Sequence, residues 1–498
     1  MLISIETAPF LAIGLVIAYF LLPYLQRSRL RDIPSPSFAA FTNFWLFLQT
    51  RQGKRYLSVD QAHAKYGKLV RISPTQVSIA DDEAIVAVYG HGNGFLKADF
   101  YDAFVSIRRG LFNTRDRHEH TRKRKTVSHT FSAKSIGQFE QYIHGNVELF
   151  VKQWNKISDL QANPKTGYAS LDALNWFNYL AFDIIGDLAF GAPFGMLEKG
   201  KDFAEMRKNP NEPAKYVAAI EVLNRRGEVS ATLGCMPSII PFAKYIPDKF
   251  FSEGLAAVEN LAGIAIARVS ERLKPEAMAN NTRVDLLARL MEGKDETGNK
   301  LGKEELTAEA LTQLIAGSDT TSNTACAILY WCLRTPGVIP KLQETLDEAI
   351  PKDIDVPTFA MVKDIPYLQW VIWETMRIHS TSAMGHVFGP GDVLSVPTYT
   401  IHRSKAIWGP DAEEFVPERW NPERLTTRQK AAFIPFSHGP RACVGRNIAE
   451  MELLVMGATV FRQFEFQLEQ DHPMETREGF LRKPLGLQVG MRRRRVQG

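Results

Sequence analysis

Apolar and polar positions follow several distinct rhythms along this chain, and each rhythm predicts a different element. Ala8 to Leu25 reads APFLAIGLVIAYFLLPYL, with no charge. About 20 predominantly apolar residues suffice to cross a bilayer as a helix, so the run predicts a transmembrane helix. A cleaved signal peptide would carry basic residues ahead of the apolar run and small residues behind it. Here Glu6 precedes the run, and Arg27, Arg29 and Arg31 follow it. Basic flanks stay cytosolic, so the expectation is a retained anchor with the body of the chain in the cytosol. The stretch IPSPS (Ile33–Ser37) then reads as a stiff hinge, because each proline fixes φ and blocks helix.

Short β-branched runs come next, at KLVRIS (68–73) and QVSIA (76–80). From about residue 115 to 350 the apolar spacing is helical, as in FNYLAFDIIGDLAF (177–190). Strand signals return at DVLSVPTY (392–399) and LGLQVGM (485–491). The pattern predicts a mainly α chain whose small β-sheets are contributed by both ends.

One helical pattern is unusually long, Thr307 to Arg334, and ends before Pro336. At 1.5 Å per residue it extends about 40 Å, enough to cross a domain. Its two ends are apolar, but its middle holds seven consecutive polar residues, Ser318 to Thr324. Such a run covers every face of nearly two turns, so part of it must point inward. We read this stretch as the wall of an internal cavity, with Asp319 and Thr320 supplying an acid and a hydroxyl able to relay protons. Gly317 removes bulk where something approaches the backbone, and Thr320 and Thr321 can bond a carbonyl one turn back. A second apolar helix, YLQWVIWETMRIH (367–379), carries Glu374 and Arg377 three apart on one face. Its apolar neighbours argue for burial, and a buried pair needs further partners. Arg419 in PERW (417–420) is a candidate third member.

The 498 residues are 45% hydrophobic and 23% charged, with neither an internal repeat nor a low-complexity linker, which suits one large domain. A net charge of +5 is too small to argue for nucleic acid. Basic clusters at RSRLR, HTRKRK (120–125) and RRRR (492–495) read as solvated faces or a membrane flank. Four cysteines form neither a disulfide framework nor a C-x-x-C pair. Cys235, Cys326 and Cys332 are expected to be buried and inert in a reducing compartment. Cys443 differs: it stands alone among glycines and arginines, just before an apolar helix.

FSHGPRACVG (436–445) resembles the haem-binding loop F-x-x-G-x-R-x-C-x-G of the cytochromes P-450. AGSDTT (316–321) resembles their oxygen-activating helix, and ETMR with PERW their Glu–Arg–Arg triad. Within that family the chain looks like the fungal benzoate para-hydroxylases, most clearly over 90–132, 172–197 and 474–491. The resemblance implies a cytochrome P-450 fold: residues 1–31 as anchor and basic flank, and 32–498 as the catalytic domain. It implies Cys443 as the thiolate ligand of haem b iron, the chemistry that favours O–O cleavage in this family. Gly439 and Gly445 would let the backbone turn around the sulfur, with nearby N–H groups tuning it. Phe436 would pack on the haem face, and Arg441, His120 and Arg124 would hold propionates. Arg122, Lys123 and Lys125 are then left as a solvated stretch.

The activity implied is insertion of one oxygen atom of O2 into an aromatic carboxylic acid, benzoate giving 4-hydroxybenzoate. Protons would pass through Asp319 and Thr320. Electrons would come from NADPH through an NADPH–cytochrome P-450 reductase. Its docking site would lie near Arg428, Lys430, Arg441 and Arg446, on a single-pass protein of the endoplasmic reticulum membrane. Arg108, Arg109 and Asn113 are candidate partners for the substrate carboxylate. Two alternatives remain: the same chemistry on another aromatic or xenobiotic substrate, and an inactive haem-binding relative. The second arises from a departure. After RIHSTSAMG the family continues with an arginine in a Leu-Pro-Arg context and a β-hairpin, whereas this chain passes from Gly385 to HVFGPGD. A propionate-binding arginine and a pocket-lining strand are thereby missing.

Overall fold

The computed structural model describes residues 8–279, 283–295, 297–385, 387–388 and 391–494. Glu6, His386 and Arg495, which figure in the expectations above, lie outside these residues. The helices that matter for the site are α1 (Ala8–Gln26), α2 (Arg117–Ser128), α3 (Glu140–Gln161), α4 (Ala173–Phe190), α5 (Ala219–Gly234), α6 (Lys249–Arg272), α7 (Lys303–Arg334), α8 (Pro366–Ile378) and α9 (Arg446–Gln463). The fold is mainly α with small sheets.

Local chemistry sets several helix ends. The Asp172 carboxylate accepts the Leu174 N–H at 3.0 Å and caps α4, which stops at Gly191 in the left-handed region at φ 86°. Asp248 caps α6 in the same way through the Phe250 N–H at 2.9 Å. Such caps satisfy N–H groups that have no partner within the helix. Helix α7, 32 residues long, runs through the core and packs against α4, α6 and α9. Phe182, Leu314, Ile328 and Leu454 are among the fully buried side chains that join these helices.

The first sheet unites the two ends of the chain as expected, whereas Ala169–Asp172 and a hairpin of Ala204–Met206 with Lys215–Val217 are strands inside the region read as helical. Strands β1 (Leu69–Arg71), β2 (Gln76–Ile79), β4 (Val387–Phe388) and β5 (Val393–Ser395) form a sheet in the order β1-β2-β5-β4. β2 and β5 are parallel, with Gln76 opposite Val393. β3 (Ala169–Asp172), β6 (Phe464–Leu468) and β9 (Gln488–Arg493) make a second sheet with β9 central. A hairpin of β7 (Thr476–Glu478) and β8 (Arg482–Pro484) stands apart. The strand read over 392–399 ends at Ser395; Thr398–Arg403 is already helical.

Helix α1 is long and apolar enough to cross a membrane and exposes Phe10, Leu15 and Tyr19. Helix α6 is also long and apolar enough to cross a membrane, but it is longer and less apolar than α1, and more than half of it is buried in the protein. The proline segment after α1 is docked, not free. The Arg71 N–H donates to the Pro34 carbonyl at 2.9 Å, and its guanidinium donates to Leu30 O at 3.3 Å. Arg27 and Arg29 both pair with Asp392 beside β5.

Gly317 lies against α4, where a Cβ would meet Ile185 Cδ1 at 2.7 Å. The missing side chain makes room for a helix crossing rather than for a ligand.

A thiol loop, a cation cluster and an open helix face

Cys443 sits on the turn leading into α9. The loop closes on itself: Cys443 N–H donates to Phe436 O at 2.9 Å, and Ala442 N–H donates to Gly439 O at 3.0 Å. Gly439 adopts φ +70°, and a Cβ there would fall 1.8 Å from the Tyr89 carbonyl oxygen. No side chain fits, on both counts. Gly445 is different. Its φ of −83° suits any residue, and a Cβ would lie 3.9 Å from Cys443 Sγ, an ordinary contact over the sulfur.

Cys443 is exposed although protein packs around it on all sides, so its thiol opens on a cleft. Burial raises its pKa, against the pull of the Gly445 N–H and of Arg124 and Arg446. An anionic sulfur there would be stabilised by those same three groups.

Positive charge gathers beside the thiol. Arg124, on α2, donates to Ala442 O at 2.5 Å. Arg441 donates to Thr114 O at 2.6 Å and Arg115 O at 3.1 Å, and burial brings its pKa down to about 10. His120, also on α2, is held near 3 by burial and by Arg441, Lys97 and Arg124, so its ring is neutral. Lys97 completes the group. It is buried, donates to Phe112 O at 2.6 Å, and is driven well below its ordinary pKa by burial, then by Arg441 and Arg124.

A cluster of this kind, with so little negative charge near it, suits an acidic ligand. A porphyrin bearing two propionates, its iron on Cys443, matches both the charges and the sulfur. Sequence reasoning found His120, Arg124 and Arg441 but missed Lys97. The only available signal was a lysine within the apolar run around GFLKADF.

The middle of α7 also has an open face. Ala316 is exposed there, and Asp319 and Thr320 are half-buried, while Ser318 and Thr321 to Thr324 are buried. The buried hydroxyls are satisfied internally: Ser318 donates to Leu314 O at 2.7 Å and Thr324 to Thr320 O at 2.8 Å. Thr321 donates to Glu452 on α9 at 2.8 Å, a carboxyl that burial raises to about 7. Thr320 donates its own proton to Ala316 O at 2.7 Å, which leaves its oxygen as an acceptor on that open face. Asn323 donates to Asp319 at 3.2 Å. The seven-residue polar run thus resolves into a satisfied buried face and an acid–alcohol pair on the open one.

Glu374 and Arg377 are fully buried on α8, and Arg377 donates to both carboxylate oxygens, at 2.9 and 2.8 Å. Arg419 joins at 3.3 Å, and the Trp420 indole and Val416 N–H supply two more donors to Glu374. Arg377 also donates to the carbonyls of His402, Ala412 and Glu414. This hub fixes the segment leading toward the thiol loop.

Other expectations need correction. Lys123 is not solvated: it is buried and bridges Glu305 at 2.5 Å and Glu309 at 3.0 Å on α7. Arg122 binds the same Glu305 along with Glu119. Glu309 in turn accepts the Leu111 N–H at 3.0 Å, which pins the loop around Leu111 to α7. Arg108 and Arg109 are exposed and paired with Glu305 and Asp102, and the Asn113 amide is used up within the loop. Of the basic docking residues, Arg428, Lys430 and Arg446 are exposed, whereas Arg441 turns inward.

Comparison with known proteins agrees with this geometry. The family model for cytochrome P-450 matches residues 34–491. Benzoate 4-monooxygenase bphA of Aspergillus niger is 77% identical over 501 positions, covering 97% of this chain and 97% of the relative. More distant relatives include a cytochrome P-450 monooxygenase of Aspergillus terreus, 28% identical over 92% of this chain and 94% of its own length. Another is the monooxygenase astJ of Aspergillus oryzae, 28% identical over 89% and 87%. The alignment to bphA is longer than the 498 residues of this chain, so it contains gaps: 501 less 97% of 498 leaves roughly 18 positions without a counterpart here. This chain belongs to the cytochrome P-450 family of haem-thiolate monooxygenases.

Proposed function

We propose that this chain hydroxylates benzoate at the para carbon, giving 4-hydroxybenzoate. The observation that carries the reading is its 77% identity, along 97% of both chains, to a benzoate 4-monooxygenase. When bound, a thiolate-ligated haem supplies dioxygen activation, one oxygen atom entering the ring and the other leaving as water with two electrons and two protons. Cys443 provides the anionic ligand, and Lys97, His120, Arg124 and Arg441 neutralise the propionates. Phe436 packs beside the loop. Asp319 collects protons at the cleft, and the Thr320 oxygen, free to accept, positions them on the open face of α7.

Electrons come from NADPH through a membrane-bound NADPH–cytochrome P-450 reductase, which docks on the exposed face carrying Arg428, Lys430 and Arg446. Residues 1–31 anchor the chain in the endoplasmic reticulum membrane, and 32–498 form the catalytic domain on its cytosolic side. The apolar, uncharged α1 and its basic flank support that arrangement.

Titrating the ferric holoprotein with benzoate is expected to shift the haem from low to high spin. No shift with benzoate, beside a clear shift with other aromatic compounds, sinks the substrate and leaves the family standing. The family segment missing after Gly385, with which gaps in the alignment to bphA are compatible, favours a second reading, a relative that retains haem poorly. Inserting the family's Leu-Pro-Arg segment and hairpin after Gly385 is therefore expected to raise the haem-to-protein ratio, read from the pyridine haemochrome. An unchanged ratio removes the gap as a cause of haem loss.

A further inference from the structure

A benzoate carboxylate taken out of water needs a cation or several hydrogen bonds to receive it. Among the described residues, five Lys or Arg side chains are more than nine-tenths buried and have no acidic ion-pair partner: Arg71, Lys97, Arg226, Arg482 and Lys483. Four of them are otherwise occupied. Arg71 holds the Leu30 and Pro74 carbonyls beneath α1. Lys97 belongs to the cluster at Cys443. Arg482 lies between the rings of Tyr56 and Tyr399, at 4.9 and 5.1 Å. Lys483 donates to the Asn224 side chain, and the charges of Asp319 and Glu228 already act on it.

Arg226 is the exception. It projects from α5, is 5% exposed, and donates from Nη2 to the Phe104 carbonyl at 2.9 Å. Its Nε is buried with no partner, and no charged group offsets its burial. A guanidinium so placed has donor capacity left over in a buried site, and its planar fork is the shape that matches a carboxylate.

Its surroundings suit an aromatic acid. The Arg226 Cζ lies 5.3 Å from the Phe104 ring centroid. Phe104, Phe112 and Phe480 meet edge to face at 4.9 to 5.9 Å, bringing together the 104–112 segment and the β7–β8 turn. That turn presses on α5, where a Cβ at Gly479 would meet the Glu228 nitrogen at 3.0 Å. Phe112 also touches Lys97, whose Nζ is 4.2 Å from its ring. The aromatic group therefore links Arg226 to the cation cluster at Cys443, two centres that do not act on each other's charge.

We propose that Arg226 receives the carboxylate of the aromatic acid substrate, with Phe104, Phe112 and Phe480 against its ring. The para carbon is the ring position farthest from the carboxylate, so a carboxylate held at Arg226 turns that carbon away from α5. This rests on the aromatic-acid reading above and names the residue that decides acid over neutral ligand.

The test compares benzoate with benzamide on the ferric holoprotein, by spin-state titration and by equilibrium dialysis of the labelled ligands. Arg226→Gln is expected to weaken benzoate about 100-fold while benzamide changes by less than about threefold. Arg226→Lys keeps the charge but loses the fork and weakens benzoate about tenfold; it carries the same comparison should the glutamine variant fail to take up haem. Lys483→Met leaves benzoate within about threefold. Benzoate weakened less than tenfold by Arg226→Gln, or benzamide lost in equal measure, overturns the proposal. If the unmodified chain prefers another aromatic acid, that acid and its amide replace the pair. The substrate then falls while Arg226 is still tested. Binding of no aromatic carboxylate at all overturns both.

Discussion

Cys443→Ser is expected to abolish the far-red-displaced Soret band of the reduced carbon monoxide complex and to cut hydroxylation to on the order of 1% or less. The serine hydroxyl matches the thiol in shape but remains neutral at the pH of the cell, so it gives iron no anionic donor. The groups that would stabilise an anionic sulfur, the Gly445 N–H with Arg124 and Arg446, then have no negative charge to act on. Because the loop is held by backbone bonds from Cys443 to Phe436 and from Ala442 to Gly439, far-ultraviolet circular dichroism should be unchanged. A variant that kept the displaced band would remove Cys443 from the iron and, with it, the account of the site.

Glu374→Gln is expected to be nearly as severe, for an unrelated reason. Glu374 is the carboxylate that both buried guanidiniums, Arg377 and Arg419, share. Glutamine keeps the size but removes the counter-charge, and breaking a buried ion pair costs about 3–5 kcal/mol. Whole domains are stable by only about 5–15 kcal/mol. Arg377 also holds three backbone carbonyls of the segment 402–414, so its displacement loosens the approach to the thiol loop. The expected result is little haem-loaded protein at unchanged expression, with a melting temperature of the surviving fraction many degrees lower. Normal haem content and melting would show that Arg419, with Asp411 at 3.0 Å, suffices to hold the hub.

Much of this site could be read in one dimension, because its chemistry is written in adjacent residues. The thiol loop is ten consecutive residues, and the acid–alcohol pair is two neighbours on one helix. Glu374 and Arg377 meet because three residues is almost one helical turn. Other features had no local sign. Gly439 is required by the Tyr89 carbonyl, 350 positions earlier in the chain. Lys123 sits in the run HTRKRK, which reads as solvated, yet α7 brings Glu305 and Glu309 over it. The prolines after α1 suggested a hinge, while Arg71 and Asp392 hold that segment to the first sheet.

By itself, the order of residues determined the helical class, the apolar N-terminal run, the lone cysteine among glycines and arginines and the acid–alcohol pair on α7. Each depends on periodicity or on neighbours a few positions apart. Only the folded chain decided which cations are buried and which of those remain uncompensated. Lys97 joined the cluster at Cys443, Lys123 found two carboxylates, and Arg226 was left with a single carbonyl. The reason is that the cost of burying a charge depends on every group packed around it. For these residues, those groups come from parts of the chain far apart in sequence.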